Sequence, residues 1–186
     1  MLAKEAPLRR AKRDGHRACL HRHGPRRTDR LFAVLAAMAL GCGCASPAAA
    51  QLVRLTKLKN ANFGTISNFT TDSIRSQNVC VYSSNLDGGY TITATGSGAG
   101  GAFTLAGSGA LLPYEVQWNS ASGQTLGTSL SPGNTLPGLT SDALSSTCKF
   151  GPATTASLII IIRANEASSA TATSYSGTLT LVVTPE

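Results

Sequence analysis

The side chains able to do chemistry are few and unevenly placed. All three histidines, His16, His21 and His23, fall within the first 30 residues. From Gln51 onward there is no imidazole for a Ser-His-Asp or Cys-His arrangement, or for a histidine-ligated metal. That stretch keeps two of the five cysteines, Cys80 and Cys148. An even pair in an exported domain reads as one disulfide, the alternative being two buried free thiols. Its six carboxylates, Asp72, Asp87, Glu115, Asp142, Glu166 and Glu186, show no spacing of an acid/base pair and read as solvated surface groups. The run GSGAGG (96–101) lacks the Lys-Ser/Thr of a phosphate-binding loop and does not precede a helical pattern, so it reads as a turn. Asn68-Phe69-Thr70 matches a glycosylation sequon, a pattern short enough to arise often by chance. Trp118 and Tyr114 could stack on a sugar, but they share a face with Leu112 and Val116, which favours a core role. The expectation is a protein that is not an enzyme and uses no metal or cofactor.

Charge is just as uneven. Residues 1–30 hold ten Lys/Arg against three acids, which accounts for the whole formal charge of +7. From Gln51 onward six bases balance six acids. A basic balance of this kind suggests a nucleic-acid partner only if the basic stretch is retained. The neighbouring segment points the other way. Residues 31–45, LFAVLAAMALGCGCA, form an uncharged apolar run of secretory h-region length, short for a membrane span. Ala48 and Ala50 then supply the small residues of an A-x-A cleavage site. Residues 1–50 therefore read as a signal peptide with a long basic n-region, cleaved between Ala50 and Gln51. The mature domain is 51–186, and no nucleic-acid partner is expected.

That domain is rich in Ser, Thr, Gly, Ala and Asn, and its apolar residues come in short runs with period 2. LLPYEVQW (111–118) alternates Leu112, Tyr114, Val116 and Trp118 against Pro113, Glu115 and Gln117. SLIIIIRA (157–164) is a β-branched run suited to a strand buried on both faces. The terminal stretch sets Leu179, Leu181 and Val183 against Thr178, Thr180 and Thr184. Residues 90–106 read as a hairpin around the glycine-rich turn, and 131–147, with two Pro-Gly pairs, as a long irregular connection. NEASSATATS (165–174) reads as a loop with room for a helical turn. Seven or eight short strands point to one all-β sandwich.

Several motifs, in their order, resemble the spore coat protein U-like family, which includes subunits of archaic chaperone–usher pili. They are NFGTI (62–66), VCVYSS and GGYTITATGSG (79–98), LPYEVQW (112–118) and SYSGTLTLVVTPE (174–186). The resemblance spans nearly all of the mature chain. It implies an immunoglobulin-like, pilin-type β-sandwich that lacks its last strand, the gap being filled by a periplasmic chaperone and then by the N-terminal extension of a sibling pilin subunit. An outer-membrane usher would be the third partner. On this reading Leu179, Leu181 and Val183 pair with the chaperone or donor strand, and Val53 and Leu55 form the candidate donor, although Lys57 comes next in register. The implied function is an exported subunit of a surface pilus or coat. The alternatives are a terminal strand that simply completes a sandwich, and a self-contained secreted β-sandwich binding carbohydrate.

Overall fold

The computed structural model describes residues 50–186. The signal peptide expected at 1–50 thus lies outside the described residues except for Ala50, which is exposed like Gln51 after it. In chain order the elements are β1 (Val53–Thr56), β2 (Ser73–Ser83), β3 (Gly89–Gly96), β4 (Thr104–Ala106), β5 (Leu111–Pro113), β6 (Glu115–Asn119), β7 (Thr128–Ser129), β8 (Thr135–Thr140), β9 (Ala156–Ile162), α1 (Ala164–Ser168) and β10 (Leu179–Pro185). A five-stranded sheet runs β1-β2-β9-β6-β7, a three-stranded sheet runs β10-β3-β8, and β4 pairs with β5. Every pairing is antiparallel. The fold is the expected all-β, pilin-type sandwich with one disulfide, Cys80–Cys148.

The core forms where the period-2 faces of the two larger sheets meet. Val79 and Val81 of β2, Val116 and Trp118 of β6, and Leu158, Ile160 and Ile162 of β9 face Tyr90, Ile92 and Ala94 of β3. All seven residues of β9 are buried, as its uninterrupted aliphatic run predicts. Its even-numbered residues supply the core, while on the other face Ser157 lies under the loop after β6. There Ser157 Oγ donates to the Ala121 carbonyl at 2.9 Å and accepts from Gln124 N–H at 3.0 Å. All seven residues being buried, this central strand has no solvent-facing side to make polar.

Three expectations are corrected. The alternating stretch 111–118 is not one strand, because it breaks at Tyr114 into β5, paired with β4, and β6, paired with β9 and β7. Residues 90–106 do not form a hairpin, because both edges of β3 are already taken, by β10 and by β8. A tight turn, with Gly98 N–H on the Ala102 carbonyl at 3.1 Å, leads the chain away, and β4 pairs with β5 instead. Residues 131–147 are not wholly irregular, since β8 lies within them and pairs with β3. Pro137 and Gly138 hid it. They form a bulge where the register shifts between Tyr90 and Ile92, and Gly138 takes the φ of +73° the bulge needs. A proline on this outer strand removes a donor that has no ladder partner there.

Buried at the centre, Trp118 Nε1–H donates to the Tyr90 hydroxyl at 3.0 Å, and the rings meet edge to face at 6.5 Å. Burial pushes the Tyr90 phenol up to about 12, opposed in part by the bond from Trp118. A phenol with a raised folded pKa stabilises the fold fully below its ordinary value near 10, and that contribution is lost as pH climbs through the folded value. Stability should therefore fall by about 2–3 kcal/mol between roughly pH 10 and pH 12. Urea titrations across that window test it. Tyr90→Phe should abolish this step, and an undiminished alkaline loss in that variant would assign it elsewhere.

Candidate strand-acceptor groove

The terminal strand β10 pairs with β3 on one side only and lies at the end of its sheet. Its inward side chains are Leu179, Leu181 and Val183, which pack against the core, while Val182 points out and is half exposed. Backbone polarity is set by the register. The Ala94 carbonyl accepts from Gly133 N–H at 2.8 Å, on the β8 side of β3, so the even-numbered residues of β3 face β8. The odd-numbered ones face β10, which agrees with Glu186 N–H reaching the Gly89 carbonyl. Ala94 is opposite Leu181 and Gly96 is opposite Leu179, so neither leucine exchanges bonds with β3. The N–H and C=O groups of Leu179, Leu181 and Val183 therefore project from the free edge of β10, where no described strand pairs with them. At Pro185 that edge offers a carbonyl but no donor.

Beside this edge runs a groove of about 990 Å³. Leu179 and Leu181 line one side, Leu158, Ile160 and Ile162 of β9 line it from the opposite sheet, and Leu112 and Tyr114 contribute from β5 and its junction with β6. The far wall is the stretch 58–66, which belongs to neither sheet. After β1 the backbone turns at Lys57, with φ +67°, and the chain leaves the five-stranded sheet. Side chains of β2 hold the stretch in place of a ladder. Gln77 Oε1 accepts from Lys59 N–H at 2.8 Å, and Arg75 donates to the carbonyls of Asn62 at 2.9 Å and Phe63 at 3.2 Å. The Arg75 guanidinium also sits over the Phe63 ring, 5.6 Å from its centre. Phe63 and Ile66 reach the core as partly buried neighbours.

The structure separates the expected site residues. Leu179 and Leu181 line the groove, whereas Val183 does not. Val53 and Leu55 are in β1, paired with Ser83 and Val81 of β2, with their side chains against the core. They are an in-chain strand, not a free extension. Cys80 and Cys148 form the disulfide, which ties β2 to the loop before β9. Trp118 and Tyr114 are 1% and 7% exposed, so neither offers the open ring face that the carbohydrate alternative requires.

One constellation escaped sequence reasoning. Arg163 Nε–H donates to Glu115 Oε1 at 2.7 Å, and Nη1–H donates to Asp72 Oδ2 at 2.7 Å. Asp72 also accepts the Ala164 N–H at 2.9 Å. That backbone bond, then the one from Arg163, holds the Asp72 carboxyl below its usual value. The Arg163 guanidinium is pushed up, by Glu115 first and Asp72 second. One cation between two carboxylates staples the ends of β6, β9 and β2. Only the residue types were visible beforehand, because the three positions are far apart in sequence. Among the described residues no three His, Cys, Asp or Glu side chains converge to hold a metal ion.

No protein-family model and no curated protein matches the chain by sequence. Among solved structures, a chain described as belonging to a chaperone–tip adhesin complex vital for activation of CFA/I fimbriae biogenesis is similar, with a TM-score of 0.45 and 16% identity. The match covers 73% of this chain and 41% of that one, so it spans less than half of that chain's length.

Proposed function

We propose that the protein is an exported structural subunit of a surface pilus or coat that assembles by accepting a strand along β10. The observation that carries this reading is the free edge of β10, with the N–H and C=O groups of Leu179 and Leu181 beside a groove whose floor is aliphatic. Such an edge is a template for pairing, and the adjacent floor of Leu158, Ile160 and Ile162 rewards a strand with alternating apolar residues. A periplasmic chaperone would fill the groove first, an outer-membrane usher would receive the complex, and a segment of a sibling subunit would replace the chaperone strand. No catalytic step is part of this function. If Val53 and Leu55 serve as the donor, β1 must first leave β2.

The test is an unheated SDS gel of material sheared from the surface of the native host, beside a boiled sample. Wild type should give a ladder that collapses on boiling to a band near the mature mass. Leu181→Asp sets a charge against the groove and should abolish the ladder, while Thr180→Asp on the opposite face should retain it. A single small band in both wild-type lanes would overturn the proposal.

A further inference from the structure

We propose that β1 acts as a stop that limits the accepted strand to about five residues, those facing Thr178 and the first four residues of β10, Leu179 to Val182. This rests on the acceptor reading and adds the length and chemistry of the occupant.

The groove ends short of the strand that borders it. By the alternation of β10, Val183 should present its backbone to the incoming strand just as Leu179 and Leu181 do. Yet Val183 does not line the groove, although its side chain packs on the same core. The difference there is β1, which packs beside β10. Its position along β10 is fixed by a chain of contacts. Val53 pairs with Ser83, Ser83 Oγ donates to the Gly89 carbonyl at 2.7 Å, and Gly89 lies opposite the end of β10, where Glu186 N–H reaches it. β1 therefore stands at the C-terminal end of β10, with Val53 and Leu55 turned to the core, in the place a longer strand would have to occupy. Pro185, lacking a donor, gives such a strand nothing further to pair with. At the other end the groove continues past Leu179, where Thr178, Gly177 and Ser176 line it.

The occupant is an extended peptide of about five residues with two apolar side chains at alternate positions, facing Leu158, Ile160 and Ile162. Among the described residues Lys59 is the only charged one lining the groove, so the peptide's outward positions are expected to be neutral or acidic.

The test uses the full chain and synthetic threonine–valine alternating peptides of three, five, seven and nine residues. Affinity is expected to rise at least about tenfold from three to five residues and then level off. In the bound state, amide exchange should slow at Leu179 and Leu181 and stay unchanged at Val183. The double substitution Val53→Asp and Leu55→Asp, which frees β1, should move the plateau to seven residues or more and slow exchange at Val183. The wild-type exchange pattern decides the question even if that variant does not fold. Affinity that keeps rising to nine residues, with Val183 protected in the wild type, would overturn the stop while leaving the acceptor reading intact. Absence of binding by every peptide would overturn the acceptor reading and this inference with it.

Discussion

Replacing Trp118 with alanine is expected to destabilise the fold by about 5 kcal/mol. Truncating a buried tryptophan ordinarily costs about 3–5 kcal/mol through lost transfer energy and the cavity left behind. Here the indole is 1% exposed and also satisfies the Tyr90 hydroxyl, itself wholly buried. Removing the donor leaves that hydroxyl unpaired at a further cost of about 1–3 kcal/mol, partly offset if water enters the cavity. A loss of this size rivals the whole stability of many domains, so the variant should be largely unfolded at 37 °C. Trp118→Phe keeps most of the apolar volume and should lose only about 2 kcal/mol. Urea midpoints of the two variants check the ordering. An alanine variant that loses less than about 2 kcal/mol would mean that the two sheets close over the gap.

The second large effect is expected from the disulfide. Cys80 and Cys148 are 68 residues apart in sequence, and the chain-entropy model assigns a loop of that length about 4 kcal/mol. Cys80 lies in β2 with no exposure, while Cys148 sits in a loop at φ +49°, a left-handed conformation held by the covalent bond and by its N–H on the Ser145 carbonyl at 3.0 Å. Nearby, Ser145 Oγ accepts the N–H groups of Lys149 and Phe150. The bond thus anchors a segment that has little regular structure of its own. The double variant Cys80→Ser, Cys148→Ser should lose about 3–4 kcal/mol and melt roughly 10 °C lower, read by calorimetry beside the oxidised protein. Equal melting temperatures would show that the loop is held by its hydrogen bonds alone.

How much of this was legible in the sequence depended on how local each signal was. The uninterrupted run of β9 and the alternation in β10 are properties of single strands, and each appears where its period places it, whereas the alternation over 111–118 is divided between β5 and β6 and its outward Gln117 is buried. The two cysteines could be paired because no others remain after Gln51. The choice of partners was not legible. A glycine-rich turn between Thr95 and Phe103 has the composition of a hairpin, but β3 finds both of its partners, β8 and β10, much later in the chain. Pro137 and Gly138 carry turn chemistry and yet sit inside an outer strand, where a bulge tolerates both. Arg163, Glu115 and Asp72 meet only after β6, β9 and β2 have aligned. Leu179 and Leu181 were legible as an apolar face, but their separation from Val183 depends on where β1 packs. Strand identity was written locally; strand partnership was not.

On the proposed function, the free edge of β10 is occupied by a strand from another chain when the protein is in place at the cell surface. The most direct measurement is amide hydrogen exchange at Leu179 and Leu181, comparing material recovered intact from the surface with the same protein boiled and refolded alone. Slowing of both amides by at least about tenfold in the intact material, with exchange in the core strand β9 alike in the two samples, is the predicted result. Equally fast exchange at both leucines in the two samples would contradict it.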